Sequence, residues 1–282
     1  MLKKLLEHKF VYFDGGMGTM LMERGMKPGE RTDMMNINHP EIVLGIQSEY
    51  ISAGSEILCS NSFSSCSESL DGTGVTAEEM IAAAVGIAKK AAGGKALVAV
   101  DIGPTGKLLE PYGDVTYEQV YERFREQAVL GEKAGADMAS IETMSDLNEL
   151  RAAVSAVLEN TNLPVFATMT FRDNGKTFLG VSVREFAEYI NETPVVAAGM
   201  NCSMSPADML PVAKELAGLL KKPMIVKLNA GMPDGKTGKY DVTPEIFAQQ
   251  MLSYKALGVK IVGGCCGTTP DHIKALKEAY EK

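Results

Sequence analysis

The sequence has little of what marks a membrane or secreted protein. Its 282 residues contain no uninterrupted apolar run that approaches the roughly 18 to 20 residues needed to span a bilayer. The amino-terminal stretch MLKKLLEHKFVYFDGG has only a short apolar segment and no small-residue cleavage site, so it does not predict a secretory signal. We therefore expect a soluble cytoplasmic protein.

Basic residues are also in deficit. The chain has 28 lysines and arginines against 36 aspartates and glutamates, a formal net charge of -8. A net negative charge opposes non-specific binding to phosphate backbones and to anionic membrane surfaces. We expect neither a nucleic acid nor a membrane among the partners.

Cysteines are few, and their number is odd. Five cysteines in a chain of this size do not predict a disulfide framework. In a reducing compartment, clustered cysteines more often bind metal or take part in catalysis. The adjacent pair Cys265 and Cys266, preceded by two glycines, is such a cluster.

What the sequence does have is a regular alternation of short β-rich runs and helix-length segments. We count eight strand-then-helix units, beginning with FVYFDGG and ending with VKIVGGCCG followed by PDHIKALKEAY. This number predicts the α/β class and a closed (β/α)8 TIM barrel, with residues 1–282 forming a single domain. The main alternative, a doubly wound open sheet, lacks the glycine fingerprint that a dinucleotide site needs after the first strand.

A barrel of this kind carries its active site at the carboxyl ends of the strands. In this sequence, polar residues and cysteines collect at those ends, whereas the strands begin with apolar residues. The strand-end residues are Asp14-Gly15-Gly16, Ser60-Asn61, Asp101, Glu142-Thr143, Thr170, Asn201-Cys202, Asn229-Ala230-Gly231 and Gly264-Cys265-Cys266-Gly267.

Three of the cysteines can meet at one rim. Cys202 ends the sixth predicted strand and Cys265 and Cys266 end the eighth, so closure of the barrel can bring them together. Three thiolates on one side of a tetrahedral ion leave a fourth position open, which is the pattern of catalytic zinc. Neighbouring side chains of a strand point to opposite faces, so the chain has to leave strand geometry at this pair, and the surrounding glycines permit that.

Two other interpretations of the cysteines stay open from the residues alone. Cysteine is among the most buried residue types and often fills space in a core, which is the interpretation we adopt for Cys59 and Cys66. A redox bond between Cys265 and Cys266 would require a strained backbone and would close almost no loop.

The strand ends resemble those of the homocysteine S-methyltransferase family. The matching stretches are DGGMGTML, IETMSDLNEL, GMNCS and GGCCGTTPDHI, which together span nearly the whole chain. This family of zinc enzymes includes the homocysteine-binding barrel of cobalamin-dependent methionine synthase and betaine-homocysteine methyltransferase. The resemblance implies that Cys202, Cys265 and Cys266 bind one Zn²⁺ per chain, with the homocysteine sulfur at the open position.

The resemblance also implies how the substrate is held. Asp14 and Glu142 would hold the amino group of homocysteine, although each carboxylate alone could be a helix cap or a solvated loop charge. Backbone amides around Gly15 and Gly16 would meet the carboxylate, in keeping with the anion-binding concavity that a glycine turn forms. Asn229 resembles the residue that can approach the zinc while substrate is absent, but it could equally hold the turn after the seventh strand.

The methyl donor is the least determined part of the prediction. Because the sequence ends soon after the eighth helical segment, we expect an enzyme of the methionine synthase type that takes methyl from methylcobalamin or a related corrinoid on a separate protein or domain. S-methylmethionine-type or betaine-type donors are the enzymatic alternative. A zinc- and homocysteine-binding sensor or partner subunit is the non-enzymatic alternative.

Overall fold

Eight parallel strands form one sheet in the computed structural model, which describes residues 2–27 and 29–282. The strands are β1 (Val11–Tyr12), β2 (Ile57–Cys59), β3 (Leu97–Ile102), β4 (Met138–Met144), β5 (Val165–Met169), β6 (Ala197–Cys202), β7 (Met224–Leu228) and β8 (Ile261–Gly264). Their order in the sheet is β1-β8-β7-β6-β5-β4-β3-β2, so each strand lies beside its neighbours in sequence.

Helices alternate with these strands. Those of the described residues are α1 (Leu2–Leu5), α2 (Met17–Glu23), α3 (Met35–Asn38), α4 (Pro40–Ala53), α5 (Ala77–Ala92), α6 (Tyr117–Lys133), α7 (Leu147–Asn160), α8 (Val183–Asn191), α9 (Pro206–Leu219), α10 (Pro244–Ala256) and α11 (Pro270–Glu281). Helices α4 to α11 each follow one strand, which confirms the predicted series of eight units. None of the helices in residues 2–27 and 29–282 has the length and apolar character of a membrane span.

The sheet closes on itself. At one seam β1 pairs with β8 through Val11 and Ile261. At the other seam a parallel bridge joins Phe13 to Ile57 beyond the end of β1, and the amide of Asp14 donates to the carbonyl of Ile57 at 3.1 Å. The chain therefore adopts the predicted (β/α)8 barrel, and the open-sheet alternative is wrong.

The interior of the barrel changes from apolar to polar along the strands. Residues that alternate along each strand face the same side, and one buried apolar cluster takes residues from every strand, with Leu97, Met138 and Ile225 among them. Two steps further along β7 from Ile225 comes Lys227, and Asp101 lies four residues after Leu97 on β3. The barrel interior is therefore lined with ionisable groups at the carboxyl ends of the strands and with apolar side chains nearer their amino ends.

Strand pairing leaves no space for a side chain at Gly199 in β6. A Cβ atom there would lie 1.9 Å from the carbonyl oxygen of Ile225, the residue paired with Gly199 on β7. We predict that Gly199→Ala lowers the free energy of unfolding by about 3 kcal/mol, because the two strands would have to separate. Urea unfolding followed by circular dichroism measures the change.

A matched glycine substitution provides the control. Gly86 is exposed within α5, and a Cβ atom there would meet nothing within 4 Å. We expect Gly86→Ala to be neutral or to stabilise by up to about 1 kcal/mol, through the higher helix propensity of alanine. Equal unfolding midpoints for the two variants would contradict the close approach of β6 to β7.

Candidate active site

A cavity of about 260 Å³ opens at the carboxyl end of the barrel. Residues that end or follow seven of the eight strands line it, and they include seven of the eight predicted site residues. These seven are Asp14, Gly15, Gly16, Glu142, Cys202, Cys265 and Cys266. The cavity therefore brings three of the predicted thiols together with carboxyl groups.

The three cysteine sulfurs lie close together, all within 4.8 Å of one another. Cys202 is the last residue of β6, and β8 ends at Gly264, so Cys265 and Cys266 lie in the loop that leads to α11. The chain thus leaves strand geometry where the sequence requires it to, and both sulfurs of the adjacent pair can face Cys202. Gly267 completes the turn with a φ of 79°, a left-handed conformation that glycine adopts without strain.

Hydrogen bonds to neighbouring strands fix the loop that carries the adjacent cysteines. The amide of Cys265 donates to the carbonyl of Leu228 at 2.9 Å, and the carbonyl of Cys266 accepts from the amide of Ala230 at 3.0 Å. The Thr268 hydroxyl donates to the carbonyl of Cys265 at 2.7 Å. The end of β7 therefore determines where both sulfurs lie.

Unusual backbone angles mark the same region. Of the residues in 2–27 and 29–282, the only non-glycine residues with positive φ are Thr143 (62°), Cys202 (60°) and Ser203 (73°). Such angles cost on the order of 1–3 kcal/mol each and persist only where the surroundings impose them. The register of β4 against β5 also shifts between Ile141 and Met144, next to the cavity residue Glu142.

Asn201 connects the strained segments. Its side chain is fully buried, and its Oδ1 accepts from the amide of Thr143 and from the hydroxyl of Thr168, both at 2.7 Å. Its Nδ2 donates to the Thr143 hydroxyl at 2.7 Å and lies 3.9 Å from the sulfur of Cys265. One amide side chain thus joins β4, β5 and β6 to the thiol cluster.

The thiols of this cluster are held in their protonated form. The contact with Cys265 lowers the pKa of Cys202, but the contact with Cys266 and burial outweigh it and raise that pKa to about 11. For Cys266, the contact with Cys202 lowers the pKa, while the contact with Cys265 and burial raise it to about 12. Three thiolates this close would repel one another, so a bound cation is the natural way to remove their protons.

A second group of ionisable side chains forms the other side of the cavity. Lys227 is buried and makes an ion pair with Oε2 of Glu142, and its Nζ lies 3.9 Å from the sulfur of Cys59. Asp14 accepts the amide of Cys59 at 2.8 Å through Oδ2. Asp101 is buried beside them.

Burial shifts the pKa values of these groups strongly. Burial raises the pKa of Asp14 to about 7, although the charge of Lys227 works in the opposite direction. Burial and the neighbouring Glu142 also raise the pKa of Asp101 well above its usual range. For Lys227, burial lowers the pKa, but the surrounding groups Cys59, Glu142, Asp101 and Asp14 outweigh it and raise the pKa. Lys227 is therefore a cation at neutral pH.

The glycine turn after β1 leaves the amide of Gly15 available to a ligand, whereas the amide of Gly16 is already bonded within the protein. The Gly16 amide donates to the hydroxyl and the carbonyl of Thr268, at 3.1 and 3.3 Å. Within residues 2–27 and 29–282, no hydrogen bond involves the Gly15 amide. A Cβ atom at Gly16 would lie 2.7 Å from the carbonyl oxygen of Cys265, so the turn lies directly against the cysteine loop.

Asn229 is not one of the residues that line the cavity. Its Nδ2 donates to the carbonyl of Ser203 at 2.9 Å, which ties the end of β7 to the residue after Cys202. Its buried Oδ1 has no hydrogen-bond partner in the part of the chain that the structure describes. Asn229 therefore links the end of β7 to the end of β6, and its approach to a zinc ion stays a prediction.

Sequence reasoning assigned no role to Lys227, Asn201 or Asp101, and it treated Cys59 as space-filling. Their positions have a signal in the sequence, because each lies an even number of residues after an inward-facing apolar residue, as Lys227 does after Ile225. The near-continuous apolar character of the strands concealed this alternation.

Comparison with known proteins gives a consistent result. The sequence model of the family described as Homocysteine S-methyltransferase matches residues 11–280. The homocysteine methyltransferase MmuM from Escherichia coli, solved in a metallated form, aligns with a TM-score of 0.83 and 22% identity over 98% of each chain. Its oxidized form aligns with a TM-score of 0.85 and 24% identity, again over 98% of each chain.

More distant barrels also align. Dihydrodipicolinate synthase DapA-2 from Bacillus anthracis has a TM-score of 0.52 and 10% identity, over 96% of this chain and 73% of that one. At these identities, the solved structures support the barrel fold alone, whereas the family model extends over almost the entire sequence.

The hydrogen bonds of Asn201 generate a prediction. We expect Asn201→Leu to lower the free energy of unfolding by about 2 to 4 kcal/mol, because it leaves the buried Thr143 amide and Thr168 hydroxyl without a partner. Urea unfolding measures the loss. Asn162, whose exposed side chain makes no hydrogen bond within the described residues, is the matched control, and an equal effect of Asn162→Leu would contradict the assignment.

Proposed function

Because this chain belongs to the homocysteine S-methyltransferase family, we propose that it transfers a methyl group to the sulfur of homocysteine and so forms methionine. The observation that carries the proposal is the close approach of three cysteine sulfurs beside a cavity lined with carboxyl groups. The proposal accounts for both sides of the cavity, since homocysteine has a thiol at one end and an amino acid group at the other.

The three cysteines suit a zinc ion. Zinc–sulfur bonds of about 2.3 Å in a tetrahedral arrangement imply sulfurs about 3.8 Å apart, and the three sulfurs here lie within 4.8 Å of one another. We propose that Cys202, Cys265 and Cys266 hold one Zn²⁺. When bound, the ion would act as a Lewis acid that keeps the acceptor sulfur in its thiolate form at neutral pH.

The other cavity residues would orient the acceptor. The free amide of Gly15 can donate to the carboxylate of homocysteine, and Asp14 and Glu142 can accept from its ammonium group. Lys227 holds Glu142 through their ion pair, so this carboxylate is fixed before the substrate arrives. Holding both ends of a short molecule aims its sulfur at the incoming methyl group, which lowers the entropic part of the barrier.

We propose a methylcorrinoid on a separate protein or domain as the donor, and an S-methylmethionine-type or betaine-type donor is the alternative. Each presents a methyl group on a good leaving group. In each case the electron pair of the acceptor sulfur forms the new S–C bond, while the bond from the methyl carbon to the donor breaks and its electron pair leaves with the donor.

The metal proposal makes a prediction about zinc content. We expect about one zinc per chain by elemental analysis, and Cys202→Ala, Cys265→Ala and Cys266→Ala should each reduce it strongly, since three ligands become two.

Zinc uptake near pH 7.5 should release about three protons, because the raised pKa values keep the thiols protonated without metal, and zinc affinity should fall as the pH is lowered. Titration calorimetry in buffers of different ionisation enthalpy counts the protons.

Two other cysteines control this experiment. Cys66 is buried outside the cavity, and Cys66→Ala should keep its zinc. Cys59 lines the cavity beside Lys227, and a Cys59→Ala protein that lost zinc as completely as Cys202→Ala would show that the ligand set is wrong.

The methyl-transfer activity can be tested with homocysteine as acceptor and a series of different methyl donors. We expect the zinc-loaded protein to convert isotopically labelled homocysteine to labelled methionine with methylcobalamin, and the rate to fall by about 100-fold or more in Cys202→Ala, which removes the Lewis acid. Mass spectrometry of the product also tests S-methylmethionine and betaine as donors. Tight homocysteine binding without formation of methionine from any donor would favour the non-enzymatic alternative, a zinc- and homocysteine-binding sensor.

A further inference from the structure

The carboxyl side of the cavity holds more carboxyl groups than its one internal cation can pair with. Asp14, Asp101 and Glu142 all line it, and Lys227 is the cation among them. A cluster of carboxyl groups is not by itself a binding site, so the hydrogen bonds of each member decide which of them is available to a ligand.

Lys227 is committed to Glu142. The two side chains form an ion pair in which the lysine side chain is 4% exposed, and the Lys227 ammonium also lies 4.5 Å from the centre of the Phe13 ring. A buried ion pair with this contact is costly to break. Glu142 is therefore already paired with Lys227 and is only partly available to a ligand.

Asp101 is the member whose unused acceptor is buried. It is 8% exposed and lines the cavity, and its buried Oδ1 has no hydrogen-bond partner in residues 2–27 and 29–282. A carboxyl oxygen of Asp101 lies within 4.8 Å of a carboxyl oxygen of Glu142 and of the Cys59 sulfur. A buried acceptor without a donor destabilises the free protein, and a ligand that brings a donor removes that cost.

The missing donor is better supplied by an ammonium group than by a metal ion. Cys59, Asp101 and Glu142 are close enough to hold a cation, but the Lys227 ammonium already contacts Glu142 and lies 3.9 Å from the Cys59 sulfur. A metal ion would have to displace this buried lysine. A ligand ammonium needs only the free oxygen of Asp101 and the neighbouring carboxyl groups.

We propose that Asp101 is a third carboxylate of the acceptor site, whose Oδ1 accepts a hydrogen bond from the ammonium group of the amino-acid thiol. The proposal rests on the methyl-transfer function proposed above and deepens it. Asp101 then selects thiols that carry an amino group, because a site built to hydrogen-bond a substrate group discriminates strongly against analogues that lack it.

The test compares two acceptors that differ only in the amino group, L-homocysteine and 4-mercaptobutyrate. Titration calorimetry on the zinc-loaded full chain gives the affinity for each. We expect Asp101→Asn to reduce the ratio of the two affinities by about tenfold or more, because the ammonium group of homocysteine then meets a neutral amide oxygen in place of a carboxylate, and the hydrogen bond is weaker for homocysteine alone. The affinity for 4-mercaptobutyrate should stay within about twofold, since that ligand makes no such bond.

Glu149→Gln is the matched control. Glu149 is a buried carboxyl outside the cavity, held by the amide and hydroxyl of Thr105 at 2.7 and 2.6 Å, and its substitution should leave the affinity ratio unchanged. Should Asp101→Asn fail to fold by circular dichroism, Asp101→Ser takes its place, because serine is smaller and removes the buried charge.

The outcomes separate the two proposals. Equal weakening of both acceptors by Asp101→Asn would indicate a purely structural role and overturn this assignment, while methyl transfer by the wild-type protein would still stand. A wild-type protein that binds both acceptors equally overturns it too. If the affinity ratio shifts as expected but no donor yields methionine, the assignment holds and the methyl-transfer function fails.

Discussion

The structure depends on one constraint, the closure of eight parallel strands into a barrel. Closure brings the carboxyl ends of β6 and β8 to the same rim, where three sulfurs come within 4.8 Å of one another. Neither strand could achieve this alone, because Cys202 and Cys265 are far apart in sequence and like groups gain nothing by approaching each other. The hydrogen bonds and packing of the whole barrel offset the unfavourable free energy of bringing the three thiols together.

Support for the thiols comes from a few buried polar groups and from strained backbone. Asn201 bonds to Thr143 and Thr168 and approaches Cys265, while positive φ angles occur at Thr143 and at Cys202 itself. Strain of this kind persists only when the surroundings over-determine it. The rigidity of the site therefore arises from strands β4 to β7 acting together, and the cysteines occupy positions that the barrel has already fixed.

The cavity contains two chemically different groups of side chains, the three thiols and the carboxyl groups around Lys227. Thiols with raised pKa values on one side favour a cation that displaces their protons. On the other side, Lys227 forms an ion pair with Glu142, while Asp14 and Asp101 line the same cavity. A short zwitterion with a terminal thiol matches this division, and it is the acceptor that the family implies.

The sequence by itself determined the eight βα units, the barrel and the cysteines that could meet at its rim, because strand ends, caps and the glycines around Cys265 and Cys266 are local features of the chain. Tertiary structure alone decided which polar side chains pair inside the barrel. Lys227 reaches Glu142 across the interior from β7 to β4, and Asn201 reaches across β5 to β4. Such pairs depend on the register and closure of strands that are distant in sequence. No local pattern encodes which inward-facing atom is left without a partner, as Oδ1 of Asp101 is among the described residues.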